Sequence, residues 1–134
     1  MTIRILWPTP RTPATPPGDP NMRAAVALVS EGGFDLFLSA DAESPVLLPL
    51  DLPRVDAMKI PHHGSADPGL RQLLDRLRPK IAAIETGRGN PYRHPRPSTL
   101  NALRGRVPRV YRTDRDGTVE LTVTGDRIAI RTHR

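Results

Sequence analysis

The chain contains no cysteine, which excludes disulfide frameworks, thiolate metal sites and cysteine nucleophiles. Any metal it binds must therefore be held by histidine and carboxylate, a donor set that suits Zn or Mn. Aromatic residues make up only 4% of the sequence, so no run of stacking rings is visible for single-stranded nucleic acid. No apolar stretch approaches the ~18–20 residues of a membrane span. The first residues also lack the charged-then-apolar pattern of a secretory signal. Lysine is nearly absent: Lys59 and Lys80 are the only two among 20 basic residues, and the formal net charge is +6. An arginine excess favours phosphate or nucleic acid, because the guanidinium fork matches phosphate oxygens. It also accompanies the alanine- and proline-rich composition that a GC-rich genome produces. At 134 residues the chain has the length of one domain with a modest core.

What is present is a regular succession of short apolar runs. Thr2 to Trp7 (TIRILW) reads as an opening strand, and residues 8–20 form a loop rich in proline, threonine and glycine. Arg23 to Ser30 and Phe34 to Ser39, separated by Glu31-Gly32-Gly33, predict a β-hairpin. Pro45 to Pro53 is broken by prolines and allows at most one irregular helical turn. Val55 to Pro61 (VDAMKIP) predicts a buried strand ending at His62 and His63. A helix from Pro68 to about Leu77, capped by Asp67 or Ser65, would place Leu70, Leu73, Leu74 and Leu77 on one face. Lys80 to Glu85 predicts another buried strand, and Thr86 to Pro97 a polar loop. A second helix over about Thr99 to Leu103, capped by Ser98, ends at Gly105. Arg109 to Thr113, Val119 to Thr124 and Arg127 to Thr132 are the last strands, with turns at Asp114–Gly117 and Gly125-Asp126. Helices between strands, with hairpins at both ends, predict an α/β fold built on a mixed sheet.

Three polar clusters each follow an apolar strand: Asp41 with Glu43, His62 with His63, and Asn90 with Tyr92 and His94. In a layered α/β sheet, groups at strand ends converge on one edge even when far apart in sequence. One carboxylate and two or three imidazoles on such an edge suffice to bind a divalent ion, which would polarise a phosphoryl oxygen. The residues alone thus predict a metal-assisted hydrolase edge. The bland alternatives are that Asp41 caps a turn, that one of the paired histidines caps the next helix, and that His94 only ties its own loop.

The motifs carry a resemblance across essentially the whole chain. ILWP, the proline-rich stretch to DPN, the apolar hairpin, LSADAE, DAMKIPHHGS, LRPKIAAIETG, NPYRHPRPSTL and VYRTDRDGTVEL stand in one order. In that order they resemble the C-terminal half of the metallo-β-lactamase-like domain of ComEC-type competence proteins, the DNA-internalisation channels of bacteria. The resemblance implies the second half of an αββα sandwich and metal-dependent hydrolysis of DNA linked to uptake. It implies Asp41 as the metal-bridging carboxylate, and one of His62 and His63 as a ligand with the other supporting it. His94 and Tyr92 fall on a loop beside the active site, and Asn21 on the asparagine before the hairpin.

Three departures qualify what the resemblance implies. HxHxDH, which supplies most ligands of the family's dimetal site, is not in this chain. Ala40 stands where the family has the glycine before the bridging acid, and Arg93 where it has the glycine between Tyr92 and His94. The first departure predicts a partial coordination shell, a weak or absent metal, and an apolar sheet face either exposed or covered by a missing half-domain or by self-association. Three readings follow: half of a nuclease, completed by another chain or by a longer gene product; a non-catalytic basic module binding nucleic acid or a membrane partner; and a truncated remnant. The compartment stays open, the family's domain being attached to an inner-membrane channel.

Overall fold

The computed structural model describes residues 1–12, 18–125 and 127–134. The middle of the proline-rich loop and the second residue of the Gly125-Asp126 turn lie outside the described residues. Among the described residues there are eight strands: β1 (Thr2–Trp7), β2 (Val26–Glu31), β3 (Phe34–Leu38), β4 (Ala57–Lys59), β5 (Ile81–Ile84), β6 (Arg109–Arg112), β7 (Thr118–Thr124) and β8 (Arg127–His133). The described residues also form four α-helical segments: α1 (Ser44–Leu47), α2 (Leu70–Leu77), α3 (Pro97–Leu103) and α4 (Thr113–Asp116). The fold is α/β.

Strands β1 to β6 form one mixed sheet in sequence order. β1, β2 and β3 pair antiparallel, while β3 through β6 pair parallel. Parallel neighbours require a crossover, and α1, α2 and α3 supply the three crossovers. β7 and β8 form a separate antiparallel pair.

One face of the sheet carries the main core. Val26, Leu28, Phe37, Met58, Ile60, Ala82 and Ile84 pack there against Leu47, Leu70, Leu73, Leu74, Leu77 and Leu103 of the helices. The four α2 leucines are all buried, each worth about 1.5–3 kcal/mol of apolar burial. The opposite face holds Phe34, Ala57 and Ile81, and the β7–β8 pair lays Leu121, Val123, Ile128 and Ile130 on them. The expectation was a face exposed or covered by a partner; in the β3–β5 region the chain's own hairpin covers it instead. The β1 part stays open, where Ile3 and Ile5, opposite Val29 and Ala27, are each 59% exposed.

The local boundaries depart from the sequence reading for identifiable reasons. α2 begins at Leu70 because Asp67 binds the Ser44 amide and hydroxyl as well as the Gly69 amide, which ties the approach to α1. α3 begins at Pro97 rather than behind a Ser98 cap, since proline at the first helical position needs no amide partner. The predicted turn at Asp114–Gly117 overlaps the single-turn helix α4, held by Asp116 on the Arg112 amide and Asp114 on the Arg112 guanidinium. No helix among the described residues is long and apolar enough to cross a membrane.

Candidate active site

β3, β4 and β5 run parallel, so the segments that follow them leave the sheet at the same edge. β3 leaves through Ala40, whose φ of 47° is left-handed although it carries a Cβ. Its carbonyl accepts two hydrogen bonds, from the His62 amide (3.1 Å) and from Lys59 Nζ (3.1 Å). Lys59 ends β4 with its side chain only 17% exposed. Burial lowers its pKa from the ordinary lysine value, while the charges of Glu85 and Asp41 oppose that shift. The ammonium thus sits beneath the exit of β3, bound to the peptide that presents Asp41.

β4 stops at Lys59, two residues before the predicted end, because Pro61–Gly64 closes a tight turn. Three consecutive residues of that turn have positive φ: His62 (45°), His63 (54°) and Gly64 (83°). For the two histidines this costs roughly 1–2 kcal/mol each. The surroundings hold the turn in place. The Gly64 carbonyl accepts from the Arg96 amide (2.8 Å) and from Thr99 Oγ1 (3.0 Å). A Cβ on Gly64 would lie 2.7 Å from Pro95 Cβ, so only glycine allows the Pro95 loop to approach this closely. That approach brings His94 beside the turn.

The two adjacent histidines point to different partners. His63 Nδ1 lies 2.8 Å from the Glu85 carbonyl, which can only accept, so Nδ1 carries a proton and, in the neutral ring, the lone pair belongs to Nε2. That Nε2 is 3.4 Å from Asp41 Oδ1, and both side chains are part-exposed. His62 Nδ1 instead bonds Glu43 Oε1 (3.0 Å), which also accepts from the Ser65 hydroxyl. The His62 ring meets His94 edge-on at 5.9 Å between centroids and His63 at 6.4 Å. Burial lowers the His94 pKa below its ordinary value of 6.5; His62, His63 and Arg96 add to this and Glu43 opposes it. Tyr92 is 73% exposed, with its ring 5.9 Å from that of His94.

Two donors each ~2.0–2.1 Å from a tetrahedral ion stand about 3.4 Å apart, so Asp41 Oδ1 and His63 Nε2 have the spacing of two ligands of one ion. Among the described residues no group of three His, Asp or Glu side chains could hold a metal. Asp41 and His63 thus stand as a pair, with no third such side chain completing a group among the described residues.

The sequence reading named Asp41, His62, His63, Tyr92 and His94, and the structure gathers them at one edge. It did not identify Lys59 or Glu85 as parts of that edge. Lysine is scarce here and this one stands in a buried strand, a signal that could have singled Lys59 out. Asn90 serves its own loop, donating to Thr86 Oγ1, Gly87 O and His94 O and accepting from the His94 amide. Asn21 lies on the short turn Pro20–Arg23 and lines, with Asp19, Asp41 and Glu43, a cleft of about 160 Å³.

Two bacterial proteins are similar to most of the chain. "ComE operon protein 3" of Bacillus subtilis is 32% identical over 111 residues, which are 80% of this chain and 14% of that protein. "Recombination protein 2" of Haemophilus influenzae is 31% identical over 116 residues, 85% of this chain and 15% of that protein. The chain thus spans about a seventh of the length of these relatives. No family model matches it. The similarity agrees with the ComEC-type resemblance that the motifs carry.

Proposed function

We propose, from the similarity to a segment of these two proteins, that the chain serves bacterial DNA uptake as one wall of a metal-dependent phosphodiester hydrolase site. Asp41 and His63 are its two metal donors. The observation that carries this reading is their 3.4 Å separation, with His63 fixed through the Glu85 carbonyl so that Nε2 faces the carboxylate. A divalent ion there would supply Lewis acidity toward a phosphoryl oxygen. The remaining donors come from outside the described residues, so this pair by itself makes a weak and inactive metal site. His62, engaged with Glu43, supports the turn. The Lys59 ammonium holds the Ala40 peptide and thereby the direction of Asp41.

The absence of a third donor among the described residues favours one alternative, a basic nucleic-acid module in which Asp41 and His63 are an ion pair. Calorimetric titration with Zn²⁺ or Mn²⁺ separates the two. The hydrolase reading predicts weak, saturable binding that Asp41→Ala or His63→Ala abolishes and His62→Ala leaves largely intact. Heat signals indifferent to Asp41 and His63 would leave the module reading standing.

A further inference from the structure

Beside the Asp41–His63 pair lies a cavity of about 140 Å³, lined by His63, Thr86, Gly87, Asn90, Tyr92 and His94. At ~30 Å³ per water it has room for about five waters, the bulk of one planar heterocycle. It is well below the ~300 Å³ at which sites for whole small molecules begin. Its walls are mainly carbon, with the exposed Tyr92 at the mouth and the His94 ring close behind. Asn90 and Thr86 are engaged in holding the loop, so little hydrogen-bonding capacity remains to read a base edge. Arg88, Arg93 and Arg96 belong to the same loop and are exposed. A ring-sized apolar cleft, an open aromatic face and nearby cations are the elements of a single-strand stacking site.

We infer that this cavity takes one unpaired base of a single-stranded nucleic acid, stacked at Tyr92, with the strand's phosphates against Arg93 and Arg96. The inference rests on the DNA reading of the neighbouring site and adds to it the base that anchors the strand. Because the cleft offers a ring face rather than free polar groups, it accepts bases without sequence preference. The strand's next phosphate is thereby carried toward Asp41 and His63.

Fluorescence anisotropy with the whole chain tests this, using a labelled oligothymidylate and an abasic deoxyribose-phosphate oligomer of equal length. The wild type should bind the oligothymidylate more tightly. Tyr92→Ala should weaken that binding by roughly 5- to 150-fold, the range of one base–aromatic stack. It should leave abasic binding unchanged, while Tyr92→Phe keeps the preference. Tyr92 is exposed, so the variants should fold as the wild type does, which circular dichroism checks. Equal affinity for the two oligomers, or indifference to Tyr92→Ala, overturns the base site and leaves backbone contact with DNA intact. No binding of either oligomer overturns the base site and the DNA reading together.

Discussion

Ala40, His62 and His63 each hold a left-handed backbone conformation that a Cβ makes costly, and all three stand where the site is built. At Ala40 the compensation is visible, since one carbonyl receives both the His62 amide and the Lys59 ammonium. Ala40→Gly should relieve about 1–2 kcal/mol of strain while adding ~0.4–1 kcal/mol of unfolded-state entropy. The net expectation is a small gain, read as a higher urea midpoint; a lower midpoint would mean the position is unstrained. Gly64 presents the opposite case. Its φ of 83° and the 2.7 Å approach of Pro95 leave no room for a Cβ, so Gly64→Ala should cost about 2–4 kcal/mol. It should also shift the His94 imidazole resonances; an unchanged unfolding midpoint would show that Pro95 yields. None of this strain was legible in the sequence. The pair His62-His63 drew attention as a motif, but its division between Glu43 and Asp41 follows from two backbone angles that no residue pattern announces.

At the scale of elements the sequence was far more readable. The strand and helix order was set by apolar runs and turn residues, and the parallel pairing of β3, β4 and β5 follows from the intervening helical segments. What it missed were the helical turn α4 and the exact ends, which depend on side chains reaching across elements, as Asp67 does to Ser44. Asp56 plays a similar part at the other end of β4. Burial disfavours its charge, yet hydrogen bonds from Lys80 and the Asp35 amide outweigh that and hold its pKa below the ordinary 3.8. The folded state therefore binds the proton less readily than the unfolded chain. Stability from Asp56 is fully present above about pH 4 and is lost as pH falls through the lowered folded-state value. Asp56→Asn should lower stability at neutral pH and flatten its decline below pH ~4. An unchanged acid limb in a pH series of denaturation curves would contradict the assignment.

Across the whole molecule, the two faces of the main sheet are covered unequally. Helices seal one face, and the β7–β8 hairpin seals only the central part of the other. The hairpin is thus part of the core, a role its alternating sequence allowed but did not establish. Leu121→Ala should cost ~1–3 kcal/mol, less than a fully buried leucine because the site is half-buried. A loss under ~0.5 kcal/mol would show the hairpin to be peripheral. The candidate site lies at the other kind of boundary, the edge where three parallel strands end, with Asp41 and His63, the proposed metal donors, side by side. The most direct test of that arrangement is ¹⁵N imidazole NMR of the chain during Zn²⁺ addition. The account predicts His63 as the Nδ1–H tautomer, a large zinc-induced shift at its Nε2, and little change at His62. A shift at His62 alone, or at neither histidine, would contradict the pairing of His63 with Asp41 as the metal-binding edge.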